Sequence, residues 1–544
     1  MISNFKLPNL VYLFHIVVSI IIIWKIFFST ILKITRKSWS SARNEKTKKP
    51  LLPPGPKPWP IVGCFPQMLL KKKPTSQWIH KLMEEMETEI ACIRLGSFHV
   101  IVVTSPELAC QFLREQDSLF SSRRTCMSAT LISNGYLTSV FLPIGDQWIK
   151  MRRFLGSHVL SQSSHQWLRH KRDEEADHLL RFVYNQYCSI DEPVTINLRK
   201  VTRYYCANVV KNMIFSTRLL GKRITEKNGG PSVEEEDEEQ VEALFTLLDH
   251  LYSFSISEYL PWLSGFDLDG HKAIIKKAYA KATKMIDHEI DQRFQIWKDS
   301  NKAHVKEDIL DVLIRLKDTN GNPLMNVKEI KAQVLELMLA MVDNPSNTVE
   351  CTIKEMLNEP QIMQRALEEI DTVVGRNRLV QESDLPQLNY VKACLREAFR
   401  LHPLTPFNVP HESISDTIVG EYFIPKGSVV LLSRLGLGRN LRIWEDPMKF
   451  KPEQHLKEEG GEVDLNDSKL HLFSFSIGRR GCPGVKLGST ITTMLLARLL
   501  QGFSWSLPPN YPGNDFNEKS GCNHLCTVPI FAQAKPRLSV GMYS

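Results

Sequence analysis

Residues 475–484 read Phe-Ser-Ile-Gly-Arg-Arg-Gly-Cys-Pro-Gly, and an apolar helical run, 485–500, follows at once. No other stretch restricts the fold so tightly. Gly478, Gly481 and Gly484 permit tight turns and close backbone approach to a flat cofactor. Cys482 stands at the head of the run, where a helix N-terminus offers unpaired N–H groups and a partial positive charge. Both favour a thiolate over a thiol, and a thiolate is a metal ligand. The chain must therefore carry this loop and its helix against a cavity.

The 544 residues are 43% hydrophobic and 24% charged, enough to bury a large core. Long helical patterns dominate, over 166–187, 271–299 and 326–358. Strands are expected at 98–103, 417–422 and 429–432, and a helix opens at Pro106. The chain is thus mostly α with a small β-rich subdomain. Residues 226–240, with Gly229-Gly230-Pro231 and an acidic run, are expected to form a mobile surface loop. Eleven scattered cysteines, without a CxxC pair, suggest neither a disulfide framework nor a zinc site. Basic and aromatic residues do not interleave along one strip, which argues against nucleic-acid binding.

Residues 10–24 are almost wholly apolar. With Ile26-Phe27-Phe28 and Ile31-Leu32 the run extends to the roughly 20 residues that span a bilayer. Only Lys6 precedes it, whereas Lys33, Arg36, Lys37 and Arg43 follow, so the bulk of the chain is expected on the cytosolic side. Residues 1–33 are expected to be a single membrane anchor and 34–63 a basic stretch and proline-rich hinge. Residues 64–544 are expected to be the catalytic domain. Two lysine clusters, at 46–49 and 71–73, suit anionic headgroups.

Phe475, Gly478, Arg480, Cys482 and Gly484 match the cytochrome P450 ligand signature, and the chain resembles that family over nearly its whole length. The resemblance implies the P450 fold and haem b with Cys482 as axial thiolate. It also implies molecular oxygen, with electrons from NADPH through a cytochrome P450 reductase at the endoplasmic reticulum membrane. Glu397 and Arg400 match the family's E-x-x-R, at i and i+3 on one helix face. Trp148 and Arg152 match W-x-x-x-R. Arg152, His411 and Arg480 are then expected to meet the haem propionates.

Within the family, Asp343-Asn344-Pro345-Ser346-Asn347 resembles the plant branch that N-hydroxylates amino acids to aldoximes. Pro406 to His411, and His455 at the end of Pro452-Glu453-Gln454-His455, agree with it. Asp343, Asn344 and Pro345 are the expected catalytic residues of the long helix. Pro345 lacks an N–H, so the Met341 carbonyl loses its helical partner and is free to hold a water. The resemblance implies an apolar or aromatic amino acid substrate and an oxime for glucosinolate or cyanogenic glucoside chemistry. Arg123, Arg124, Met338 and Phe407 are the candidate substrate contacts.

Some positions depart from the branch. Cys351 stands where tryptophan is usual and Leu435 where tyrosine is. Gln454 replaces an arginine that would join Glu397 and Arg400. Glu397 is then expected to rely on Arg400 alone, with weaker haem retention. The competing readings are a carbon hydroxylase of a small plant metabolite, a reductase-independent isomerase or dehydratase, and a haem-binding but catalytically weakened relative.

Overall fold

The computed structural model describes residues 51–70, 74–188, 195–218, 235–298, 307–457, 460–509 and 528–543. The expected anchor and both lysine clusters lie outside these residues. Among the described residues no helix is long and apolar enough to cross a membrane. Among the described residues no two cysteines are joined in a disulfide.

The helix Val327–Asn358 is the axis of the fold. Asn326 opens it with a capping box. Its side chain accepts from Glu329 N–H, and the Glu329 carboxylate accepts from Asn326 N–H. Most of its length is buried, because it packs against Leu198–Phe215, Asn389–Leu401, His271–Lys298 and Val485–Gly502. A helix covered on several sides has few polar positions to spare. One continuous apolar core surrounds this bundle.

A four-stranded sheet flanks the bundle in the order Ile90–Leu95, Phe98–Val103, Val429–Leu432, His411–Glu412. Val100 pairs with Val429 and Val103 with Leu432 in the one parallel ladder; the other ladders are antiparallel. Val429–Leu432 is buried throughout, which explains its unbroken apolar sequence. Expected strands 98–103 and 429–432 stand as read. The expected strand over 417–422 is instead a hairpin, Thr417–Val419 against Tyr422–Ile424, because Gly420 turns the chain with φ of +59°. Residues 235–240, expected to be loop, begin the helix Glu235–His250. A third sheet joins Thr195–Asn197, Phe531–Pro536 and Phe503–Ser506.

The proline-rich hinge docks on the first sheet in part. Cys92 N–H donates to Pro54 O at 2.8 Å, and the bend at Trp59–Gly63 returns two backbone hydrogen bonds of 3.0 Å each. Prolines cannot donate to a ladder, so the hinge contributes carbonyls there.

Candidate active site

The cysteine loop lies against a cavity bounded by the long helix, the first sheet and the helix Val485–Gly502. Gly478 turns the loop with φ of +75°, and a Cβ there would stand 2.5 Å from Leu113 O. Glycine is therefore required at this position. Cys482 N–H donates to Phe475 O at 2.8 Å, which closes the loop. The sulfur accepts the Gly484 N–H at 3.3 Å. Cys482 opens onto the cavity. Burial pushes its thiol pKa up, while the Gly484 N–H and the charges of Arg152 and Arg434 oppose that shift.

Four arginines line the same cavity: Arg123, Arg152, Arg434 and Arg480. Arg480 Nε donates to Ser121 O at 2.5 Å and Nη2 to Leu142 O at 2.7 Å. Its Nη1 is buried without a partner, and so is Nε of Arg434. The Arg480 guanidinium lies over the Trp148 ring, 4.6 Å from its centroid. Arg152 donates to Gly481 O. Burial first, and then the charge of Arg123, bring Arg480 down to about 9; burial brings Arg434 and Arg123 down to about 10. Buried cations at close quarters are costly unless an anion neutralises them. The one carboxylate in the wall, Glu336, is occupied by Ser139 N–H and Oγ–H, Val140 N–H and Gln333. The donor set fits a flat group carrying carboxylates on one edge and a metal that accepts a thiolate. Haem has this character.

His411 lines the cavity too. Its Nδ1 lies 2.8 Å from Phe120 O, and a carbonyl only accepts, so Nδ1 carries a proton. Burial and the charges of Arg123 and Arg480 hold the ring well below its ordinary pKa. The neutral ring thus offers Nε2 as an acceptor. Donation to a propionate requires the imidazolium, which a neighbouring anion favours.

On the long helix, Leu337, Met341, Asn344 and Thr348 line the cavity at i, i+4, i+7 and i+11, joined by Ala340 and Pro345. Met338 and Asp343 lie off this stripe, for a helix turns about 100° per residue. Met338 is buried in the core. Asp343 is buried, accepts from Asn347 Nδ2, and faces Arg203 and Cys206 of the helix Leu198–Phe215. Of the three residues expected to act from this helix, Asn344 and Pro345 line the cavity and Asp343 does not. Proline leaves the turn short of one helical bond. The hydroxyls of Ser346 and Thr348 reinforce it, donating to Asp343 O at 3.0 Å and Asn344 O at 2.8 Å.

Two more substrate candidates lie elsewhere. Arg124 packs against the rings of Phe98 and Tyr259, 4.1 and 4.2 Å from their centroids, and donates to Glu258 O. Phe407 stacks on His80 at 5.6 Å within a second core. In extended chain, neighbours point to opposite faces, so Arg123 and Asn408 reach the cavity while Arg124 and Phe407 do not. Arg123 itself is committed to backbone: Val140 O at 3.3 Å, Val409 O and Pro410 O at 2.8 Å each. Arg434 was not singled out by sequence reasoning. The available signal was an arginine two residues after the buried strand Val429–Leu432.

Behind the cavity Glu397 and Arg400 are fully buried, paired at 2.7 and 2.8 Å. Glu397 does not rely on Arg400 alone. Gln454 Nε2 reaches both its oxygens, at 2.9 and 2.8 Å, and Lys451 N–H donates at 2.8 Å. His455 Nε2 lies 2.7 Å away, and its Nδ1 accepts from Arg396 Nε at 3.2 Å. That acceptance fixes the proton on Nε2, so a neutral ring donates to the carboxylate. Histidine at the end of the motif thus supplies a donor that an aromatic residue lacks. His455→Phe is expected to cost about 1.5–3 kcal/mol, as for a lost hydrogen bond to a charge, and to lower haem content on heating. Gln454→Arg is expected to leave haem occupancy unchanged. Pyridine haemochrome titration of both variants checks the pair; a larger change in the second than in the first would refute this account.

The comparisons agree with the geometry. The chain is 50% identical over 520 residues to isoleucine N-monooxygenase 1 of Lotus japonicus, covering 95% of each chain. It is 50% identical to a phenylalanine N-monooxygenase of Arabidopsis thaliana, over 91% of this chain and 93% of that one. It is 48% identical to a tyrosine N-monooxygenase of Sorghum bicolor, over 91% of this chain and 88% of that one. The cytochrome P450 family model matches residues 53–530, and with a match of that extent the chain belongs to the cytochrome P450 family of haem-thiolate monooxygenases.

Proposed function

We propose that the protein converts an apolar or aromatic L-amino acid to its aldoxime by two N-hydroxylations and a decarboxylation. The observation that carries this reading is the placement of Asn344 and Pro345 on the same cavity as Cys482. Relatives of closely similar identity are N-monooxygenases of isoleucine, phenylalanine and tyrosine, which agree in the reaction and differ in the side chain.

Cys482 would hold the haem iron through its thiolate, and Arg123, Arg152, Arg434 and Arg480 would meet the propionates. The haem, once bound, supplies oxygen activation. The protein's part is to hold the substrate nitrogen near it and to manage protons. Pro345 has no N–H to give the Met341 carbonyl, and in this reading that carbonyl and the Asn344 side-chain oxygen would hold a water near the reacting centre. Phe141, Leu248, Leu251 and Leu337 give the cavity apolar walls, which suit an aliphatic or aromatic side chain.

Residues 1–33 are proposed as the anchor in the endoplasmic reticulum membrane and 34–63 as the linking stretch and hinge. Residues 64–544 would then be the cytosolic catalytic domain, served by NADPH–cytochrome P450 reductase. The sequence asymmetry of lysine and arginine around residues 10–32 supports this orientation.

Yeast microsomes carrying the chain and a plant reductase, given NADPH and a panel of amino acids, are expected to yield an oxime. The protein is expected to stay in the pellet after alkaline carbonate washing. No oxime from any amino acid, despite a normal thiolate-type carbon monoxide spectrum, would sink the reaction assigned here. Release by carbonate would sink the anchor.

A further inference from the structure

The cavity wall contains a buried amide, that of Asn408, whose hydrogen bonding is only half used. Asn408 is buried, and it sits where the chain runs beside the strand Val429–Leu432. Its backbone N–H donates to Leu432 O at 3.1 Å, and its Oδ1 accepts the Leu432 N–H at 2.8 Å. This pair settles the orientation of the carboxamide, because only the oxygen end can accept that N–H. The Nδ2 end is the one left over, and it is buried without a partner. A buried donor lacking an acceptor is uncommon in a folded protein and calls for one.

We propose that Nδ2–H of Asn408 holds the α-carboxylate of the substrate, an inference that rests on the amino acid reading above. Other groups of the wall are poorly suited to the task. Arg123 gives Nε and Nη1 to Val140 O, Val409 O and Pro410 O, and its charge belongs with the cluster that fits the haem edge. Arg152 and Arg480 bond backbone carbonyls of the cysteine loop and its surroundings, within the cluster that fits the haem edge. Glu336 repels a carboxylate. A neutral donor also suits the chemistry. The carboxylate leaves as carbon dioxide, so its charge must disperse in the reaction. A tight ion pair to arginine would stabilise the starting charge and raise that barrier, whereas an amide N–H orients the group at smaller cost.

The test uses the full-length holoenzyme and two probes that share side chain and nitrogen. One is an amino acid that gives an oxime with the unaltered protein; the other is the amine that lacks its carboxylate. The readout is the substrate-induced shift of the haem spectrum. Asn408→Asp keeps the acceptor for Leu432 N–H and removes the donor. Asn408→Ala removes the donor without adding a charge. Both variants are expected to weaken amino acid binding by roughly tenfold or more, to leave amine binding within about twofold, and to retain full haem content. Equal weakening for both probes, or for neither, would overturn the assignment. Loss of haem in both variants would overturn it too, since the donor would then serve the cofactor. If the unaltered protein makes no oxime from any amino acid, the underlying reading fails before any variant is compared.

Discussion

Cys482→Ser is expected to abolish oxime formation to below detection, with the surrounding fold intact. The change replaces one atom. A serine hydroxyl can take the Gly484 N–H that the sulfur accepts at 3.3 Å, and the backbone bond from residue 482 to Phe475 O is untouched. What is lost is the thiolate that would hold the haem iron and supply the electron density its oxygen chemistry needs. Hydroxyl and thiol differ sharply in acidity, and no cation close to this position ionises a serine. The carbon monoxide difference spectrum should lose its thiolate-type band. Far-ultraviolet circular dichroism should match the unaltered protein. An active variant with a displaced band would remove Cys482 from the ligand position and leave the cavity without an assigned metal donor.

Much of the site was readable because the chemistry forces local sequence. A glycine at φ of +75° against Leu113 O, and a helix with a capping box, are local demands that leave local marks. Cys482, Arg480, Arg152, Trp148 and His411 come together at one cavity, as the matched motifs imply. The expected residues that do not line the cavity share one physical reason: a motif names neighbours in the chain, whereas a wall selects a face. Asp343 stands beside Asn344 and turns to another helix. Phe407 stands beside Asn408 and enters a separate core. Arg124 stands beside Arg123 and packs against two rings. Arg434 escaped notice because its role depends on three arginines far away in sequence. The role of His455 was hidden likewise. Its proton position is set by Arg396, and only the folded arrangement shows both partners.

The buried carboxylate behind the haem cavity gives the second large effect. Glu397→Gln keeps the side chain's shape and removes its charge. Arg400 is then left fully buried, still bonded to Gly438 O at 2.6 Å, Pro447 O at 2.7 Å and Lys449 O at 2.8 Å, but uncompensated. A glutamine amide also points donors at the donors of Arg400, Gln454 and His455. Breaking a buried pair in this way costs about 3–5 kcal/mol, a large part of the roughly 5–15 kcal/mol that holds a typical domain folded. The yield of haem-loaded protein and the unfolding midpoint are both expected to drop steeply. Acid titration supplies an independent check. Burial alone would raise the Glu397 pKa, but hydrogen bonds from Arg400 and His455 and their charges overcome it and hold the group at about 2, against an ordinary 4.5. The folded value is depressed, so this carboxylate stabilises the fold fully above about 4.5, and its contribution is lost as pH falls from there toward 2. Unaltered protein should therefore lose stability across that window by a step that Glu397→Gln lacks. If the two proteins show the same acid profile, the Glu397 network is not what ties the packing behind the cavity together, and its conserved shape rather than its charge would be the cause.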